Sequence, residues 1–310
     1  MPYTAAIADE GRLTEAERVR RLDPPTGEVE IVLDTDTANE VDDQFALAYA
    51  LFAETIDLQA VYAAPFDNAN SSGPADGMAQ SHDEIVHLLE LAGHARPDRI
   101  AYRGAREYLD DGSITSAATT DLIERARGRS SEDPLYVVAI GAPTNVAAAI
   151  DQAPDIVDQI VVVWLGGHPY GWHTACEFNL RQDRRASRVL FDSGVPLVHV
   201  PCKNVAEQLQ TTVAELDAYL SGNGPLSEYL LEIVTDLEPD RGVWSKVIWD
   251  LAPLAYLIDH EWIPTNLVHS PRLSDDLRYT HDTSRHLIRV GMDARRDRIL
   301  EDVFRTLEGR

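Results

Sequence analysis

The chain has 310 residues, 44% of them hydrophobic, and a formal net charge of −25, with Lys203 and Lys246 as its only lysines. That length can bury a large core, as one α/β unit or as two smaller ones, and the acidic field repels phosphate backbones and anionic lipid, which sets aside nucleic acid and membranes as partners. No apolar run approaches the roughly 18 residues of a membrane span, the N-terminus is too charged for a secretion signal, and Cys176 and Cys202 lack metal-binding spacing, so a cytoplasmic protein with free thiols is expected.

Residues 1–28 read as an N-terminal extension: a polar helical stretch near Thr14 to Leu22, then Asp-Pro-Pro-Thr-Gly, a turn and linker signal. Residues 29–310 then read as the main domain. Five Val- and Ile-rich runs, EVEIVLDTD, IDLQAVYAA, PLYVVAIG, QIVVVWLGG and VPLVHVP, predict buried strands. Apolar spacing predicts helices over 42–53, 78–92, 116–127, 143–152, 185–193, 205–221 and 294–307. The alternation implies βαβ units, hence an α/β fold with an open, mostly parallel (mixed) sheet and helices on both faces. In such a sheet, ligands bind outside the carboxyl ends of the strands.

The first strand ends in Asp34-Thr35-Asp36, and the next helix opens with Asp42-Asp43. Side chains two apart share a strand face, so Asp34 and Asp36 are expected to point the same way, with the other pair a short loop later. Helix starts favour acidic residues, which explains a lone Asp pair. Four carboxylates within ten residues instead demand raised pKa values or a hard, oxygen-liganded cation, Ca²⁺ or Mg²⁺. An EF-hand does not fit, because Asn39 stands for its glycine and Phe45 for its bidentate glutamate.

This pattern resembles the N-terminal signature of the inosine-uridine nucleoside hydrolase family, in which Asp-x-Asp at a strand end is followed by two adjacent aspartates. The resemblance implies that Asp36 and Asp43 are metal ligands, Asp42 is the general base on the attacking water and Asp34 a supporting carboxylate. The loop departs from the pattern: five residues, Thr37 to Val41, stand where the family has three, bringing Asn39 or Glu40 within reach of the site.

Later segments carry the same resemblance in order. VVAIGAPTNVAAAI is similar to the family's strand and turn that lend a main-chain oxygen to the metal, here Ile140. CEFNLRQD is similar to its Glu-Phe-Asn segment, implying that Glu177 and Asn179 hold ribose hydroxyls and that Asp183 steadies the loop. VIWDLAPLAYLI is similar to the helix bearing the last metal carboxylate, here Asp250. Trp249 stands where many members carry His, and its ring could stack on a base or belong to the core. In LGGHPYGWH, a Gly-rich stretch read as a flexible lid, His168, Tyr170, Trp172 and His173 are candidate contacts to the leaving group. Asp67, Asn68 and Asn70 compete for a ribose-binding position, of which Asn68 is taken.

The implied activity is hydrolysis of a ribonucleoside N-glycosidic bond by direct attack of water on a substrate held by Ca²⁺, with Mg²⁺ second, in a homo-oligomer (dimer or tetramer). A haloacid-dehalogenase-like phosphohydrolase is the rival, with Asp34 as nucleophile and Lys203 beside the phosphate. It leaves Glu177, Asn179 and Asp250 without roles, Ala38 replaces its usual Thr or Val, and no late Gly-Asp-x-x-x-Asp motif is present. A non-catalytic nucleoside- or sugar-binding homologue is the third reading. The acidic, lysine-poor composition also suits high salt, although a GC-rich genome would produce the same arginine bias.

Overall fold

In a computed structural model, which describes residues 13–109, 114–130, 132–240 and 242–310, the five apolar runs are strands of one sheet. In chain order the elements are α1 (Glu15–Arg21), β1 (Val29–Thr35), α2 (Asp42–Phe52), β2 (Ile56–Ala63), α3 (Pro74–Leu91), β3 (Ala101–Arg103), α4 (Ala117–Arg127), β4 (Leu135–Ala139), α5 (Thr144–Gln152) and β5 (Ile160–Leu165). They continue as α6 (Phe178–Gln182), α7 (Arg184–Asp192), β6 (Leu197–Val200), β7 (Gln210–Thr211), α8 (Val213–Leu220), α9 (Pro225–Thr235), β8 (Lys246–Val247), α10 (Leu251–Ile258), β9 (Thr265–His269), β10 (Arg272–Leu273), β11 (Tyr279–Thr280), β12 (Leu287–Gly291) and α11 (Arg296–Leu307).

The main sheet has the order β3-β2-β1-β4-β5-β6-β12-β9, parallel except for the edge strand β9, which runs antiparallel to β12. Both faces are covered, and the strands divide their side chains accordingly. In β5, Val161, Val163 and Leu165 enter one core while Ile160, Val162 and Trp164 enter the other. In β1, Ile31 and Leu33 go one way and Val32 the other, as the two-residue pleat requires. Helix α2 is buried from Asp42 through Ala50 because it lies between the sheet and the helices α10, α11, α3 and α9. That position leaves little room for polar residues, so the few that occur there are significant.

Chain order and sheet order disagree where β12 intervenes between β6 and β9, and also at β1. β1 leads to β2 on one side and β4 lies on its other side, with α2 packed into one core and α5 into the other. The carboxyl ends of β1 and β4 therefore splay at a topological switch point, where a crevice forms without any special loop.

Three expectations need adjustment. The helix expected over 205–221 is broken into a 3₁₀ turn at Ala206–Gln208, strand β7 and helix α8, because Thr211 pairs with Lys246 of β8 and the Thr212 hydroxyl caps α8 at Glu215 N. Helix α3 starts four residues earlier than expected, at Pro74 after Gly73. Within the N-terminal segment, α1 lies against the main unit: Arg18 Nε donates to Gly194 O at 2.9 Å, and Leu22 is fully buried.

Candidate active site

At the β1/β4 switch point a cavity of about 280 Å³ opens beyond the strand ends. Its acidic side is formed by Asp36, Glu40, Asp42, Asp43 and Asp250. Carboxylate oxygens of Asp42, Asp43 and Asp250 lie within 4.8 Å of one another, and all three residues are buried. Asp42 and Asp43 occupy the first turn of α2, and Asp250 immediately precedes α10, which packs against α2. Two helix starts thus bring together residues over 200 positions apart in sequence, and free N–H groups at those starts favour negative charge there.

Two of the carboxylates are held by hydrogen bonds. Thr35 donates its hydroxyl to Asp43 Oδ1, and the Trp249 N–H donates to Asp42 Oδ2 at 3.2 Å. Burial pushes the Asp43 carboxyl up to about 8, and the charge of Asp42 adds to it. Asp250 is raised well above the carboxylate range by burial, then by Asp42, Asp43 and Asp36. Asp36 is raised for the same reasons, burial first and then Asp43 and Asp42. The Asp36 Oδ2 atom is buried without a hydrogen-bond partner. A cluster in which every member resists ionisation, with one oxygen left orphaned, is the chemistry of a divalent-cation site, and its oxygen-only donors suit a hard ion. Gly141 belongs to this arrangement, because a Cβ there would meet Asp36 Oδ1 at 2.8 Å.

The lining also includes Glu177, Asn179 and Ile140. Glu177 caps α6: Oε1 accepts from Asn179 N at 3.0 Å, and Oε2 accepts from Leu180 N at 3.1 Å and Gly167 N at 2.8 Å. Gly167 reaches that carboxylate with φ of +63, a conformation that favours glycine. Asn179 Nδ2 donates to Ile140 O at 2.8 Å and Leu165 O at 3.1 Å, tying three segments at the strand ends. The Ile140 oxygen keeps a second lone pair for another partner.

Other expected residues stand behind the cavity. Asp34 does not share its surface with Asp36: β1 ends at Thr35, so the pleat that would align the two side chains stops short. Asp34 Oδ1 instead accepts from Asn145 Nδ2 at 2.7 Å, and burial pushes this carboxyl up to about 7. Asp183 caps α7 through Ala186 N at 2.9 Å and also takes Thr144 Oγ1 at 2.8 Å and Leu109 N at 2.7 Å, bracing the loop that carries Glu177.

Asn39 lines the cavity, but Asn68 does not; its amide donates to Asn39 Oδ1 at 2.7 Å. Asp67 is bonded through its main chain to Gln182, and Asn70 N donates to Asn68 Oδ1. His173 also stands outside the lining, its ring stacked beside Trp172, whereas His168 is on it. Tyr170 is partly buried, with its hydroxyl 2.7 Å from His199 Nδ1, so that part of the Gly-rich stretch is anchored to the sheet.

Several lining residues were not singled out as nucleoside contacts: Leu165, Cys176, Phe178, Cys202 and Lys203. Both cysteines are free thiols. Cys202 and Lys203 directly follow the VPLVHVP strand, so the strand-end rule alone pointed to them. Lys246, paired with Glu40 and near Asp42, was marked only by the rarity of lysine.

A family model described as inosine-uridine preferring nucleoside hydrolase matches residues 31–298. A pyrimidine-specific ribonucleoside hydrolase of Escherichia coli is 29% identical over 145 residues, 44% of this chain and 46% of that protein, so the matched stretch spans about half the relative's length. Among solved structures, a plant nucleoside hydrolase is similar with a TM-score of 0.72 at 19% identity, covering 91% of this chain and 99% of the other. A purine-preferring ribonucleoside hydrolase from Gardnerella vaginalis gives a TM-score of 0.70 at 20% identity, covering 90% and 98%. These structural likenesses speak for the fold, and the family match, which runs from β1 into α11, speaks for descent. The chain belongs to the inosine-uridine preferring nucleoside hydrolase family.

Proposed function

We propose that the protein hydrolyses the N-glycosidic bond of a ribonucleoside, releasing free base and ribose, with a divalent cation, Ca²⁺ before Mg²⁺, held by Asp36, Asp43, Asp250 and the Ile140 carbonyl. The observation that carries this reading is the convergence of Asp42, Asp43 and Asp250 in a cavity that also presents Glu177 and Asn179. A site made of carboxylate and carbonyl oxygens favours the larger and more tolerant ion. When bound, a divalent cation supplies Lewis acidity that makes water easier to deprotonate and grips a sugar diol.

The chain's own groups account for the remaining chemistry. Asp42, beside the metal-binding pair, takes the proton of the attacking water. Glu177 and Asn179 hold ribose hydroxyls by accepting from them, through the remaining carboxylate lone pairs and the Asn179 Oδ1, the Asn179 NH2 being already given to Ile140 O and Leu165 O. Positive charge grows on the ribose ring as the glycosidic bond lengthens, and the fixed carboxylates around it stabilise that charge better than reorganising water does. One oriented water gives inversion at the anomeric carbon.

The test is release of reducing sugar from inosine, adenosine, uridine and cytidine, with Ca²⁺ or with EDTA, beside phosphate release from p-nitrophenyl phosphate. Sugar release that disappears with EDTA supports the reading. Phosphate release alone returns the phosphohydrolase alternative, and nucleoside binding without turnover makes the protein a binding homologue.

A further inference from the structure

The carboxylates that favour a growing cation on ribose oppose the other half of the reaction. A departing purine or pyrimidine carries the electron pair of the broken bond, and it leaves a cavity lined by Asp36, Glu40, Asp42, Asp43, Glu177 and Asp250. Without a local positive donor, that developing anion is repelled. In a chain of net charge −25 with two lysines, one of them, Lys203, lines this cavity.

Lys203 sits in the turn after β6, where the preceding residue is fixed by a hydrogen bond from Cys202 N to Gly167 O at 3.0 Å and the following one, Asn204, has φ of +65. Its ammonium lies 5.4 Å from the centroid of the Trp249 ring and 3.1 Å from Glu207 Oε2. An ammonium has three N–H donors, and Glu207 engages one side of it, so the group is aimed yet retains capacity to donate. With the carboxylates, Glu177 and Asn179 assigned to the cation and the sugar, the remaining lining residues, Lys203, Trp249 and His168 among them, are available to the base. Burial and then the charge of Lys203 lower the pKa of His168. Lys246 is already engaged with Glu40 and Asp42.

We infer that Lys203 is the leaving-group residue: it donates a hydrogen bond, and then a proton, to the departing base. The inference rests on the hydrolase reading above. The C1′–N bond breaks and its electron pair passes to the base nitrogen, which takes a proton from the Lys203 ammonium. The oxygen of water forms the new bond to C1′ and its proton goes to Asp42. Exchange with solvent restores both groups, so one water is consumed and one base and one ribose are released.

The experiment compares the best natural nucleoside with p-nitrophenyl β-D-ribofuranoside, whose leaving group needs no protonation, for wild type, K203M, K203R and H168N, all saturated with Ca²⁺. K203M should lower kcat on the nucleoside by about 10²-fold, a usual size for general acid catalysis, with a much smaller loss on the nitrophenyl riboside. K203R should recover part of the nucleoside rate, since it restores charge and hydrogen bonding. Equal losses on both substrates would make Lys203 merely structural, and a selective loss in H168N with a normal K203M would move the role to His168; either result overturns the assignment. Wild-type protein that cleaves neither substrate defeats the hydrolase reading itself, an outcome distinct from those two.

Discussion

Lys246 Nζ stands 3.8 Å from Asp42 Oδ1 and also pairs with Glu40, so one cation joins the longer loop after β1 to the first residue of α2. Only 12% of the Lys246 side chain and 5% of that of Asp42 are exposed, against 52% for Glu40. The Asp42 contact is therefore the one that solvent cannot replace. K246M should destabilise the metal-free protein by roughly 1–3 kcal/mol, below the full cost of breaking a buried pair because one partner is half exposed. E40Q should cost less than about 1 kcal/mol. Urea unfolding in EDTA measures both, and a larger effect for E40Q would show that the loop contact dominates.

Asp42 is the assigned base, and it belongs to the carboxylate cluster without being among the proposed metal ligands. Substituting Asn keeps its size and its capacity to accept from Trp249 N–H while removing the basic oxygen. D42N should lower kcat by about 10²-fold or more with Ca²⁺ affinity within a few-fold of wild type. Steady-state kinetics beside calcium titration by calorimetry make the comparison. Near-normal turnover would transfer the base role elsewhere.

Much of this site was legible because its parts lie at strand ends, and strand ends can be read from apolar runs. Asp36 closes the first such run with Asp42 and Asp43 just beyond it, Ile140 lies near the end of the third, and all four line the cavity. The extra loop residues also arrived where expected, with Asn39 and Glu40 both on the lining. The supports were not legible. Thr35 under Asp43 and Asn145 under Asp34 are ordinary polar residues whose partners are fixed only by tertiary packing. Among the elements, α9 had a signal in Gly224-Pro225 and in Leu226, Leu230 and Val234 buried at every fourth position. Strands β3 and β7 had none, since two or three residues show no periodicity.

His199 supplies a pH dependence remote from the acidic cluster. It is buried between Tyr170, whose hydroxyl lies 2.7 Å from Nδ1, and Gly166, whose carbonyl lies 2.6 Å from Nε2. A neutral ring satisfies both by accepting from Tyr170 and donating to Gly166. Burial pushes its pKa down to about 4. The unfolded chain, with an ordinary value near 6.5, binds a proton between pH 6.5 and 4 that the folded chain does not, so stability is present above that window and lost as pH falls through it. The loss should be about 2 kcal/mol by pH 5. H199Q should be less stable than wild type at pH 7, and the gap should shrink by that amount at pH 5. Parallel curves of unfolding free energy against pH would refute the assignment.

The acidic cluster makes a prediction whose sign changes with the metal. Without a cation, Asp36, Asp42, Asp43 and Asp250 are buried together, and the carboxyl of Asp250 is raised by the other three. D250N has no carboxyl to bury beside the other three, so the cost that raises the Asp250 pKa in the folded protein disappears, and metal-free D250N should unfold at higher urea than metal-free wild type. With Ca²⁺ the order should reverse. Wild type gains RT ln(1 + [L]/Kd), about 2.7 kcal/mol at a hundred times Kd, while D250N, missing one ligand, gains little at the same concentration. A packing defect alone would destabilise D250N in both conditions, and a charge effect without metal binding would stabilise it in both. Only a carboxylate that serves a cation yields curves that cross.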